Sequence, residues 1–375
     1  MSFSSARSAE FFSSIVIGFA PRGYESIQRA REIETDAKRR RVMAFLGIDI
    51  GGTKLVLAVG DREGTPIVSS RRAMQLSGDW RVDLDVLARD ARALLTEAGI
   101  GGIGSDVGAD PLERVGVSVP GPADPMRGVL LNPPNLPNWH DVPIAAALEE
   151  ALGVEVRIEN DANAAALAEA SFGAGRGVSN LVYLTMSTGV GGGVISDGRL
   201  VRGAFGSAGE PGHLPIEFPG LACACGLSGC LEAYVGGNAW RDRLRREVPA
   251  RSRVVELAGG DRGAVLPEHL VAAAREGDAF ACEAFARWLD HLARGLIPIV
   301  MLLEPQRIIL GTIAVAAGEA LCFAPLRARL ESSLWPHQTE RLEIVPAALG
   351  DDLPARAGLA VALHGVSRTA TDAPG

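Results

Sequence analysis

Two stretches of this chain spell the same pattern, and that repetition narrows its fold more than any other feature. From Phe45 the β-forming run FLGIDI passes through GGTK into LVLAVGDREG, and from Leu181 to Leu200 the run LVYLTM passes through STGVGGG into VISDGRL. Each reads as a strand, a glycine turn and a returning strand. One such unit in each half suggests two related α/β lobes, each lending a loop to a shared cleft. Between them the pattern predicts an amphipathic helix from about Asp83 to Glu97, a strand at RVGVSVP, an irregular PPNLPNW loop and a helix at IAAALEEALG. Further helices are expected at Pro267–Glu276, from Ala279 to about Met301 and at Ala314–Leu334, with a strand, RIILG, at 307–311. Because strands alternate with helices, the sheets should be parallel or mixed.

At 375 residues the chain exceeds the usual size of a single core. Its 45 acidic against 37 basic side chains give a net charge of −8, which disfavours a general affinity for nucleic acid. The ten-residue, largely apolar run FFSSIVIGFA at 11–20 is too short to span a bilayer, and the basic KRRR follows it rather than a cleavage site. A cytoplasmic protein without a membrane partner is expected. Residues 1–42 form an N-terminal extension without clear period, and Met43 stands where the first strand begins; a helix from Tyr24 to Arg41 is the alternative.

Four groups of residues carry chemistry. Asp49, Gly51, Gly52, Thr53 and Lys54 close a hydrophobic strand, and glycines there let backbone amides approach phosphate oxygens. The loop with Ser187, Thr188, Gly189 and Gly191 has the same character without the lysine. Either alone would pass for a plain hairpin; together they favour a phosphate site. At ENDANAAALAE, Asn160 and Asp161 stand at the mouth of an alanine-rich helix. Either could cap it, and a carboxylate held ionised by the helix N-terminus could also take a proton from a hydroxyl. Finally, His213 is followed by Cys223, Cys225 and Cys230, a set that would complete a tetrahedral zinc and leave no position for an activated water; the alternative is a chance cysteine cluster beside a surface histidine. Such a zinc is structural, and it would aim Glu210, Glu232 and the free nitrogen of His213 at a ligand.

As a set these motifs resemble the ROK family of sugar kinases and sugar-responsive repressors, from about Phe45 to the C-terminus. DIGGTK, MSTGVGGG and ENDANAAALAE are similar to its two phosphate motifs and its catalytic helix, and GHLPIEFPGLACACGLSGCLE matches its zinc signature position by position. The resemblance implies an α/β, two-lobed, actin-like ATPase (ribonuclease H-like) fold with the active site in the interdomain cleft. One lobe would comprise 43–158, completed by about 346–375, and the other 159–345 with its zinc loop at 213–230. The implied activity is ATP-dependent phosphorylation of the terminal hydroxyl of a hexose. Asp161 would be the base, with Gly121, Asn135, Asn160, Glu210, His213 and Glu232 holding the sugar, and Asp49, both glycine loops and Gly311 around Mg²⁺ and ATP. Glucose is the first expectation; fructose, mannose, allose and N-acetylhexosamines share nearly the same contacts. A homodimer or higher homo-oligomer is expected. One departure stands out: where the family has a glycine pair this chain has Gly311 and Thr312, and a Cβ at Thr312 would crowd the nucleotide. A repressor would need a DNA-binding helix-turn-helix ahead of Asp49, and no such pattern is visible there. A catalytically idle sugar-binding protein would not need Asp161 beside paired phosphate loops.

Overall fold

The computed structural model describes residues 43–101 and 110–367, so the extension at 1–42 and its alternative helix lie outside the described residues, as does the end of the chain from 368. The chain opens with β1 (Ala44–Ile50), β2 (Lys54–Gly60) and β3 (Pro66–Ala73), then α1 (Trp80–Glu97), the short β4 (Ile100–Gly101) and β5 (Asp110–Val119). A small hairpin of β6 (Ala123–Asp124) and β7 (Val129–Leu130) precedes α2 (Ile144–Leu152), β8 (Val156–Asn160) and α3 (Asp161–Phe172). The second half begins with β9 (Leu181–Met186), β10 (Val190–Ser196) and β11 (Arg199–Leu200). After the cysteine loop come α4 (Glu232–Val235), α5 (Gly237–Glu247), α6 (Pro267–Arg275), α7 (Ala279–Leu303), β12 (Arg307–Leu310), β13 (Glu343–Pro346) and α8 (Leu353–His364).

The duplication legible in the sequence is a duplication of topology. One sheet runs β3-β2-β1-β5, with β8 along the other edge of β5 and β4 pairing at its start; the second runs β11-β10-β9-β12-β13. In both, the glycine hairpin is antiparallel and the strands beyond it are parallel. Each sheet has its own apolar core. Leu84 and Leu87 of α1 and Ile144 and Leu148 of α2 cover the first, while Trp240, Phe285 and Trp288 of α5 and α7 pack on the second. Full burial of each such side chain stabilises by roughly 1.5–3 kcal/mol.

A third apolar cluster lies between the sheets, built from Ala164, Ala166 and Ala168 of α3, Ala357, Ala360 and Val361 of α8, and Tyr183 and Ile195 of the second sheet. Small residues explain how tightly these helices seat. A Cβ on Gly116 would come within 2.0 Å of the Ala362 amide nitrogen, and one on Gly47 within 2.5 Å of that of Leu359, so α8 lies directly on β1 and β5. On the other side, Cβ atoms on Gly191 and Gly193 would stand 2.9 and 2.6 Å from the methyls of Ala162 and Ala166, so α3 is laid just as closely on β10. The helix expected at Ala314–Leu334 is instead broken: Ile313–Gly318, a π turn at Glu319–Phe323, then Ala324–Glu331. Gly318, with φ of 77°, is where regular helix geometry stops.

Candidate active site

A cleft of about 980 Å³ gathers most of the residues expected to act together. Asp49, Gly121, Asn135, Asn160 and Asp161 line it, as do Ser187, Thr188, Gly189 and Gly191 of the second glycine loop. Glu210, His213, Cys223, Cys225 and Glu232 complete its wall. Gly51, Gly52, Thr53, Lys54 and Gly311 are outside this lining. Gly52 nevertheless bears on the site: a Cβ there would stand 3.0 Å from the Cβ of Asn135, so the first glycine turn is seated against the loop that brings Asn135 in. That loop is anchored by buried Leu136 and Trp139, and the Trp139 indole donates to Asp83 of α1 at 3.2 Å.

The mouth of α3 divides two jobs between neighbouring residues. Asn160 is the N-cap, its side chain accepting from the Asn163 amide at 2.7 Å, which leaves the Asp161 carboxylate free of capping and directed to the cleft. The sequence-based expectation was a carboxylate held ionised by the helix end. The Ala162 amide does donate to Asp161 Oδ1 at 2.8 Å, yet the surrounding protein outweighs it. Although Asp161 reaches water through the cleft mouth, desolvation raises its pKa above the usual carboxylate range. A base of raised pKa is better matched to work near neutral pH.

Asp49 sits across the sheet register from Ser118, whose hydroxyl donates to Asp49 Oδ1 at 2.6 Å. Burial pushes the Asp49 carboxyl up to about 6, against the opposing effect of Ser118, and the charge of Asp161 adds to the rise. Glu210 is also raised, first by burial, with His213 opposing and Asp161 and Glu232 reinforcing. Four carboxyl groups, those of Asp49, Asp161, Glu210 and Glu232, thus share one cleft at a cost in repulsion and desolvation that a cation or a hydrogen-bonding ligand would relieve.

His213, Cys223, Cys225 and Cys230 offer donor atoms that all lie within 4.8 Å of one another. Cys225 and Cys230 Sγ are 3.8 Å apart, the edge expected of a tetrahedron with bonds of about 2.3 Å. His213 turns Nδ1 toward Cys223 Sγ, at 3.8 Å, so its Nε2 is the nitrogen left for a ligand. The donor set fits a closed zinc site. The loop is fixed by its own backbone as well: the Cys223 amide donates to Leu227 O, and the Gly229 amide to Leu221 O.

The glycine run of β10 is not a single phosphate loop. Ser187, Thr188 and Gly189 form the turn, with the Ser187 amide donating to Gly189 O at 3.1 Å, whereas Gly191 and Gly193 lie within the strand and make room for α3. Thr312 adopts φ of 44°, a left-handed conformation unusual for a β-branched residue. Its hydroxyl turns back to Met186 O, with Thr185 Oγ1 at 3.3 Å, which ties the end of β12 to the end of β9. Thr312, like Gly311, lies outside the cleft lining.

Sequence reasoning missed Ser118 and a buried ion pair behind α3. Glu159, fully buried, accepts from Arg202 Nε at 2.6 Å and from Asn163 Nδ2 at 3.1 Å, joining the start of α3 to the loop that leads to Glu210. Ser118 could have been flagged as a lone hydroxyl in an apolar strand, but its partner depends on a parallel register that spacing does not reveal. Arg202 carries no comparable signal.

The model of the ROK family matches residues 45–364. The glucokinase of Thermotoga maritima is 36% identical over 312 residues, which is 83% of this chain and 94% of that one. A solved ROK family glucokinase from Streptomyces griseus, in complex with glucose and AMPPNP, is 30% identical with a TM-score of 0.67, covering 86% of this chain and 100% of that one. Repressors are similar too: the xylose repressor of Bacillus spizizenii is 29% identical over 310 residues, 83% of this chain and 74% of the repressor. The paired sheets are those of the actin-like ATPase fold.

Proposed function

The chain belongs to the ROK family and is an ATP-dependent sugar kinase, and from that premise we propose that it phosphorylates the 6-hydroxyl of a hexose, glucose first, with Asp161 as general base. The observation that carries this reading is the release of Asp161 from capping by Asn160, inside a cleft shared with the Ser187–Gly189 turn and with Glu210, His213 and Glu232. Asn135, Asn160, Glu210, Glu232 and His213 Nε2 would hold the other sugar hydroxyls and direct the 6-hydroxyl to Asp161. As that oxygen attacks the γ-phosphorus, its proton passes to the Asp161 carboxylate. The bond from the γ-phosphorus to the bridging oxygen breaks, and ADP leaves with the electron pair. The glycine turns contribute backbone amides, so the rate enhancement comes from positioning and charge neutralisation rather than from a covalent intermediate.

Mg²⁺ delivered with ATP would neutralise phosphate charge beside Asp49, whose raised pKa fits a carboxyl group awaiting a cation. Zinc on His213, Cys223, Cys225 and Cys230 would lock the loop that presents Glu210 and Glu232. The test is a coupled assay with ATP and Mg²⁺ across glucose, fructose, mannose, allose and N-acetylhexosamines, with glucose expected to give the highest kcat/KM. The similarity to the xylose repressor favours a second reading, a sugar sensor on the same fold. Sugar binding without phosphoryl transfer to any of these acceptors would support that reading and refute the first.

A further inference from the structure

Glu232 stands where two loops distant in sequence meet. It opens α4, two residues after Cys230, and one carboxylate oxygen, Oε2, accepts from the Val190 amide at 2.9 Å. The same oxygen fills the space beside Gly189, where a Cβ would stand only 2.3 Å from it. The other oxygen, Oε1, lies 3.6 Å from Cys223 Sγ, on the side of the cysteine loop. The segment that follows continues the attachment: the Gly237 amide donates to Ser187 O and the Asn238 amide to Thr188 O, each at 2.9 Å. Gly237 allows this approach, since a Cβ there would come within 1.9 Å of Ser187 O. Every residue of the turn from Ser187 to Val190 is therefore in contact with the stretch 232–238.

We propose that Glu232 is a positioning residue for the nucleotide's phosphate turn as well as a sugar contact, so that one carboxylate couples sugar affinity to nucleotide affinity. The proposal rests on the kinase reading above for what the turn binds. A carboxylate can accept at both oxygens simultaneously, and a charge-assisted bond to a backbone amide is stronger than a neutral one. Oε2 fixes where the Val190 amide points, and Oε1 remains for the sugar side. Coupling of this kind is reciprocal, so a change made on the turn must be felt by the sugar.

Calorimetric titration of glucose alone and of Mg·AMPPNP alone tests this on the full-length protein and two variants. In Glu232→Gln, affinity for Mg·AMPPNP without sugar should fall about tenfold, together with affinity for glucose. In Gly189→Ala, the added methyl displaces Oε2, and affinity for glucose without nucleotide should fall although the substitution is on the phosphate turn. Gly189 does not require a left-handed backbone, so this variant is expected to fold and decides the matter if Glu232→Gln does not. Normal Mg·AMPPNP affinity in a folded Glu232→Gln, or normal glucose affinity in Gly189→Ala, overturns the coupling. A wild-type protein that phosphorylates no hexose overturns the kinase reading instead, a result separate from either variant's.

Discussion

At the scale of single residues, the site depends on which neighbour performs which task. Because Asn160 already caps α3, Asp161→Asn keeps the helix and the shape of the cleft and removes the proton acceptor. Its kcat should drop about 10²- to 10⁴-fold while calorimetry still detects glucose binding. Near-normal turnover would exclude Asp161 as the base. Since burial raises the Asp161 pKa, its ionised fraction declines as pH falls through that raised value, and kcat/KM should fall on an acid limb lying above the usual aspartate range. Asp49 makes a related claim about stability. Its folded pKa, about 6, exceeds the ordinary value of 3.8, so its contribution favours the fold below the lower value and is lost as pH rises through the higher. Asp49→Asn should therefore raise the Tm of the ligand-free protein more at pH 7.5 than at pH 4.5; the reverse order would contradict the burial argument. For the cysteine loop, Cys225→Ser should abolish stoichiometric zinc, lower Tm and weaken glucose binding, whereas exposed Cys282, outside the cluster, should tolerate serine. Metal analysis of the purified variants checks this directly.

At the scale of elements, the parts that could be read from the sequence were those whose physics is local. Both strand–glycine–strand units, the helices at 144–152, 267–275 and 279–303, and the clustering of His213 with the three cysteines follow from periodicity, turn chemistry and close spacing. What escaped depends on contact between distant segments. Gly191 and Gly193 look like phosphate-loop glycines until α3 is seen lying on them, and Asp49 looks solitary until the parallel register sets Ser118 beside it. The dependence of pKa on surroundings is of the same kind: the helix end at Asp161 is visible in sequence, and the protein that desolvates it is not. The seating of α8 gives the sharpest test at this scale. Gly116→Ala would force a methyl between two backbones that cannot swing aside, so it should destabilise by about 3 kcal/mol, near the upper end for overpacking. Chemical denaturation measures it, and a loss below about 1 kcal/mol would show that α8 is free to lift.

At the scale of the whole molecule, the described residues from Met43 onward form one compact unit. A chain beginning at Met43 should fold and phosphorylate its sugar with unchanged kcat, because β1 starts at Ala44 and the described cleft draws on no residue before Asp49. Insolubility or loss of activity would make the first 42 residues part of the fold. Within that unit, α8 lies on β1 and β5, although some 300 residues of synthesis separate the first strand from the last helix. On the ribosome, the glycine-lined face of the first sheet therefore emerges complete while its cover does not yet exist. For most of translation that sheet must wait with its inner face unprotected, and neither half can be finished before the other has been made. The molecule is duplicated in topology, yet it cannot be assembled one half at a time.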